Sequence, residues 1–103
     1  DGRTFNVSYA LVRARYRGSF EAPSLLEPDR VYEYRLRLHP TSIFFRPGHR
    51  IRVDITSSDF PNFDRNHNTG GEDWQEIELR TARQRVFHDA NRASHVSLPV
   101  VRP

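Results

Sequence analysis

Apolar and polar residues alternate with a period of two along most of this chain. That period admits β-strands and gives no stretch the 3.6-residue spacing of an amphipathic helix. In residues 31–38, Tyr32, Tyr34, Leu36 and Leu38 share one face, and Glu33, Arg35 and Arg37 share the other. Successive side chains of a strand point to opposite sides of the sheet, so this is the pattern of a half-buried strand. Residues 49–56 repeat it, with Ile51, Val53 and Ile55 opposite Arg50, Arg52 and Asp54. Residues 11–17 carry a weaker copy through Val12, Ala14 and Tyr16, and residues 75–80 set Ile77 and Leu79 against Glu76 and Glu78. Residues 84–88 and 96–101, with a short piece at 4–7, complete the expected strands.

The breaks between these segments are also of the β type. Pro23 and Pro28 bracket a loop after Phe20. Arg46-Pro47-Gly48 predicts a tight turn, because Pro fixes φ and Gly accepts a positive φ. That turn would join residues 43–45 to residues 50–55 as a hairpin. Residues 57–73 form the one long connection without periodicity. Six or seven short strands separated by Pro and Gly turns predict an all-β fold, a sandwich or jelly roll. There is no internal repeat and no low-complexity segment.

At 103 residues the chain is one domain, expected to span 1–103. Seven Phe, four Tyr and one Trp supply its bulk, within a composition that is 36% hydrophobic and 28% charged. The aromatics argue against disorder. Cys and Met are both absent, which excludes disulfides and Cys-held zinc. A start at Asp1 without Met suggests a piece of a longer or processed protein. All sixteen basic residues are Arg, and the net charge is +3. They are interleaved with Asp and Glu rather than gathered in a block, so they are expected to be solvated strand faces and not a nucleic-acid surface. The Arg bias suggests a GC-rich, bacterial genome. No apolar run reaches membrane-span length, and no membrane partner is expected.

Catalytic chemistry finds no support. No G-x-S-x-G nucleophile elbow occurs. His39, His49, His67, His88 and His95 are scattered, without H-x-H or H-E-x-x-H spacing. His88-Asp89 is read as a surface contact rather than an oriented imidazole. Asp64-Arg65-Asn66-His67-Asn68 opens like a calcium loop, but its sixth position is Thr69 instead of Gly and its twelfth is Gln75 instead of Glu. Its Asp and Asn side chains are expected to bond their own backbone. Neither metal nor cofactor is expected. Asn6-Val7-Ser8 matches the short glycosylation sequon, a frequent chance pattern. Phe60, Phe63 and Trp74 flank the polar loop, which leaves a stand-alone carbohydrate-binding module as the alternative reading.

Several separated runs have a familiar order and spacing. Asp1-Gly2-Arg3-Thr4-Phe5-Asn6-Val7 is followed by Leu11-Val12-Arg13-Ala14-Arg15-Tyr16-Arg17. Phe44-Phe45-Arg46-Pro47-Gly48-His49-Arg50-Ile51-Arg52-Val53 leads into Ser57-Ser58-Asp59-Phe60-Pro61-Asn62-Phe63-Asp64-Arg65-Asn66 and Asn68-Thr69-Gly70-Gly71. His88-Asp89-Ala90, Ser94-His95-Val96 and Leu98-Pro99-Val100-Val101 close the set. Together they resemble the C-terminal non-catalytic domain of the X-Pro dipeptidyl-peptidase and cocaine esterase (CocE/NonD) hydrolases.

The resemblance implies a jelly-roll β-sandwich of the galactose-binding-like kind, here lacking its first strands. It implies an accessory domain of a serine hydrolase acting on esters or amides, packed against the α/β-hydrolase and cap domains of the same polypeptide. The Ser-Asp-His triad would sit in that α/β-hydrolase domain, and no catalytic residue is assigned to this chain. The long loop is the expected docking element, with Phe60 and Phe63 as apolar anchors and Asp64, Arg65, Asn66 and Asn68 as polar contacts. Unpaired strand edges leave self-association into a homo-oligomer open. The cytoplasm is the favoured compartment.

Overall fold

Arg13 is the last extended residue before the chain's first regular element, with φ −75° and ψ 133°. Ala14–Tyr16 then wind into a 3-10 turn. The Tyr16 N–H donates to the Arg13 carbonyl at 2.8 Å and the Arg17 N–H to that of Ala14 at 3.3 Å. The alternation in 11–17 therefore does not run through as a strand. Bonds between residues three apart satisfy the backbone locally where no ladder partner does. The computed structural model describes residues 2–72 and 74–101. Asp1, which opens the first resembling run, and Asp73, which closes the expected loop, lie outside them.

The paired strands are β1 (His88–Asp89) and β2 (Arg92–Ala93), antiparallel, with His88 opposite Ala93 and Asp89 opposite Arg92. Neither loop residue, Ala90 or Asn91, has a positive φ. The turn is thus not one of the primed types whose twist matches the strands, and the ladder stops after two residues on each side. The Asp89 carboxylate holds the turn instead, accepting from the N–H groups of Asn91 at 3.1 Å and Arg92 at 3.0 Å.

The turn at Arg46-Pro47-Gly48 forms as expected. Gly48 has φ +82°, and the His49 N–H donates to the Arg46 carbonyl at 3.0 Å. No ladder joins its flanks.

Residues flanking other expected strands meet through isolated bonds. The His39 N–H donates to the Tyr9 carbonyl at 3.2 Å, the Ser8 hydroxyl to the His39 carbonyl at 2.7 Å, and the two rings lie 4.7 Å apart. A cleft of about 370 Å³ separates Ala10–Val12 from Leu36 and Arg37. A second, of about 340 Å³, is lined by Val53, Ile55, Val86 and Val96 together with His88 and His95.

The two faces of the alternating segments are sorted. On the polar side, residues two apart form ion pairs: Arg35 to Glu33 at 2.7 Å, Arg52 to Asp54 at 2.8 Å and Arg80 to Glu78 at 3.0 Å. Same-face contact at that spacing is what a period-two backbone gives. On the apolar side, Tyr32 lies under the guanidinium groups of Arg17 and Arg30, and the rest is open. No hydrophobic side chain is buried among the described residues, and Ile51, Val53 and Ile55 are all more than half exposed. The accessible surface is 10544 Å², against about 6000 Å² for a closed domain of this mass. The radius of gyration is 16.8 Å, against about 13 Å for a compact chain of this length.

Candidate functional site

The loop at 57–72 is held by its own side chains. The Thr56 hydroxyl oxygen accepts from the Ser58 N–H at 3.4 Å, and that of Ser58 from the Phe60 N–H at 3.3 Å. The Asn62 amide reaches both Asp59 carboxylate oxygens, at 3.5 and 3.4 Å. The Phe63 N–H closes a turn onto the Asp59 carbonyl at 3.1 Å, through a cis Phe60-Pro61 bond. These are the short-range bonds that Ser, Thr, Asn and Asp offer in place of secondary structure.

This scaffold divides the six candidate docking residues into two groups. Phe60 and Phe63 project from the turn, 62% and 40% exposed. Arg65 sets its guanidinium carbon 5.1 Å from the centroid of the Phe60 ring. That position places a cation over one face of the ring. Asp64 is exposed and has no hydrogen bond or ion pair among the described residues. Asn66 and Asn68 are also exposed, but their side chains are engaged in hydrogen bonds. The Asn66 side-chain oxygen accepts from the Asn68 N–H at 3.0 Å, and the Asn68 amide donates to the Arg80 carbonyl at 2.8 Å. Asn68 has φ +60°, a left-handed conformation that Asn tolerates better than most residues.

Two side chains with no docking role expected from the sequence, His67 and Arg15, complete the loop's anchorage. His67 donates from Nδ1 to the Glu78 carbonyl at 3.0 Å, and its own carbonyl accepts from the Arg80 N–H at 2.9 Å. Arg15 donates from Nη2 to the Gly71 carbonyl at 2.8 Å across 56 residues of sequence. Among the described residues no three His, Asp or Glu side chains converge in metal-binding geometry, and no helix is long and apolar enough to cross a membrane.

The His88-Asp89 pair is not an oriented imidazole. The Asp89 carboxylate is taken by Arg92, whose Nη2 lies 2.7 Å away and whose guanidinium carbon sits 3.9 Å from the Phe87 ring centroid. The Arg92 hydrogen bond is the main cause holding the Asp89 carboxyl below its ordinary value of 3.8. A carboxyl depressed in the folded state stabilises the hairpin above its unfolded value, and that contribution is lost as pH falls through the folded one. The Asn91 and Arg92 amide resonances are therefore expected to titrate together below about pH 4. Asp89→Asn should abolish the titration, and its persistence in that variant would assign it to another group.

The family profile described as X-Pro dipeptidyl-peptidase C-terminal non-catalytic domain matches residues 1–97. The cocaine esterase of Rhodococcus sp. (strain MB1 Bresler) is 40% identical over 104 residues, covering 99% of this chain and 18% of that protein. The chain thus spans about a fifth of the length of the curated relative it matches. No solved structure matches it.

Proposed function

Because this chain belongs to the family of X-Pro dipeptidyl-peptidase C-terminal non-catalytic domains, we infer that it serves as the accessory β-domain of an α/β-hydrolase-type serine hydrolase acting on esters or amides. Its role is to stabilise the catalytic domain and help shape its surroundings. The similar cocaine esterase, an esterase by name, supports this class of reaction. The carrying observation is physical. The alternating segments sort their residues into polar and apolar faces, and no hydrophobic side chain of the apolar faces is buried among the described residues. An exposed apolar area of this extent marks a surface that another part of a protein occupies. On this reading the segments close into a jelly-roll sandwich within the parent protein, and the Phe60–Phe63 turn packs against its catalytic domain.

The docking reading is tested with the double variant Phe63→Ala, Arg65→Ala in the full-length protein. Loss of an aromatic anchor and its neighbouring cation is expected to lower stability by about 2 kcal/mol and to reduce turnover severalfold. Thermal unfolding and ester hydrolysis measure the two effects. Wild-type values for both would remove the loop from the interface.

A further inference from the structure

We propose that Arg15 is a latch that sets how the 57–72 loop is presented, acting from a position outside the docking surface. The inference rests on the docking reading above and adds the residue that positions the loop.

Arg15 is fixed at its backbone. It sits inside the Ala14–Tyr16 turn, and its carbonyl accepts from the Ser24 N–H at 2.8 Å. Arg17 braces the same hub, donating from Nη1 to the Ala14 carbonyl at 3.0 Å and the Ser24 carbonyl at 2.6 Å. From this hub the guanidinium of Arg15 reaches the Gly71 carbonyl.

The loop end is shaped to receive it. Gly70 has φ +85°, and a Cβ there would lie 3.2 Å from the Leu25 side chain. A Cβ on Gly71 would overlap the Glu76 carboxylate. Both positions thus bring bare backbone against neighbouring groups, and the Gly71 carbonyl is left pointing at a charged donor. Arg15 and Gly71 are both partly shielded from solvent. A charge-assisted hydrogen bond in that setting is among the stronger polar contacts available. Chain closure over 56 residues also makes it a longer-range constraint than the loop's bonds to Glu78 and Arg80.

Hydrogen exchange on the full-length protein tests the latch itself. Arg15→Ala is expected to speed exchange of the amides of residues 67–72 by roughly tenfold. Amides of β1 and β2 should be unchanged, and Arg15→Lys should restore part of the protection. Unchanged exchange at 67–72 would overturn the proposal. A rise spread evenly over the whole domain would overturn it too, because that reports a general structural role.

A double-mutant cycle tests the positioning. The effect of Arg15→Ala on turnover is expected to vanish in the Phe63→Ala background. Equal effects in both backgrounds would show that Arg15 does not work through the loop. If Phe63→Ala alone is silent, the docking reading fails while the exchange result still decides the latch.

Discussion

Heated by itself, the 103-residue chain is expected to unfold without a cooperative transition. Cooperativity in a small domain comes from a shared core, since each buried side chain depends on its neighbours staying in place. Here no hydrophobic side chain is buried among the described residues, and large residues such as Phe44, Ile77 and Val101 are each at least 79% exposed. Conformational entropy opposes order at about 1–2 kcal/mol per residue, and the uncovered faces offer little burial to offset it. Calorimetry should show no resolved heat-absorption peak, and a dye that binds exposed apolar surface should fluoresce. Small-angle scattering should give a radius of gyration nearer 17 Å than the roughly 13 Å of a closed domain of this length. A sharp transition with a calorimetric enthalpy near 0.7 kcal/mol per residue would show that the chain closes a core unaided.

The second large effect is expected from Val53→Asp, and it should differ between two contexts. In the isolated chain Val53 is 57% exposed, so the substitution should change little, within about 0.5 kcal/mol. In the full-length protein the same face is covered on the proposed reading, and Val53 lines the second cleft with Val86 and Val96. A carboxylate placed there without a partner is expected to lower stability by about 3 kcal/mol or more, as a buried unpaired charge does. Comparing denaturant midpoints of the parent and its variant measures this. A neutral result in the parent would mean that the 51–55 face stays in water there. The apolar face would then need another explanation.

What the sequence makes legible here is local. The Arg46-Pro47-Gly48 turn could be read because its geometry depends on three adjacent residues, and Gly48 adopts the positive φ it was expected to supply. The sorting of faces could be read for the same reason, since the Arg35–Glu33, Arg52–Asp54 and Arg80–Glu78 pairs follow from spacing alone. Residues 11–17 misled because Val12, Ala14 and Tyr16 alternate as a strand would, while the backbone found bonds three residues away. The β1–β2 hairpin was missed although Asp89 and Asn91 carry its turn. Expectation for a two-residue hairpin loop centres on Gly-containing primed turns, and this turn relies on an Asp side chain instead.

In the candidate site, residue type announced the Asn66 bond to the Asn68 N–H, whereas Asp64, expected to bond its own backbone, makes no hydrogen bond among the described residues. Residue type did not separate Asn66 and Asn68, whose side chains are hydrogen-bonded, from Phe60 and Phe63, which project. The Arg15 contact with Gly71 spans 56 residues, and no composition or period encodes a pairing at that distance.

The ion pairs on the polar faces carry one more consequence. Their partners are two residues apart, so extended backbone brings them together whether or not the domain is closed. Such a pair persists in the denatured ensemble, and a contact present in both states adds little to the difference between them. The Arg–carboxylate spacing therefore matters more for the life of the chain before it folds. Each apolar stripe is synthesised with charges at every second position beside it, and charges so placed act as gatekeepers against strand-to-strand aggregation. A segment whose apolar face waits for another part of the protein to cover it is in this way kept dispersed until that cover arrives.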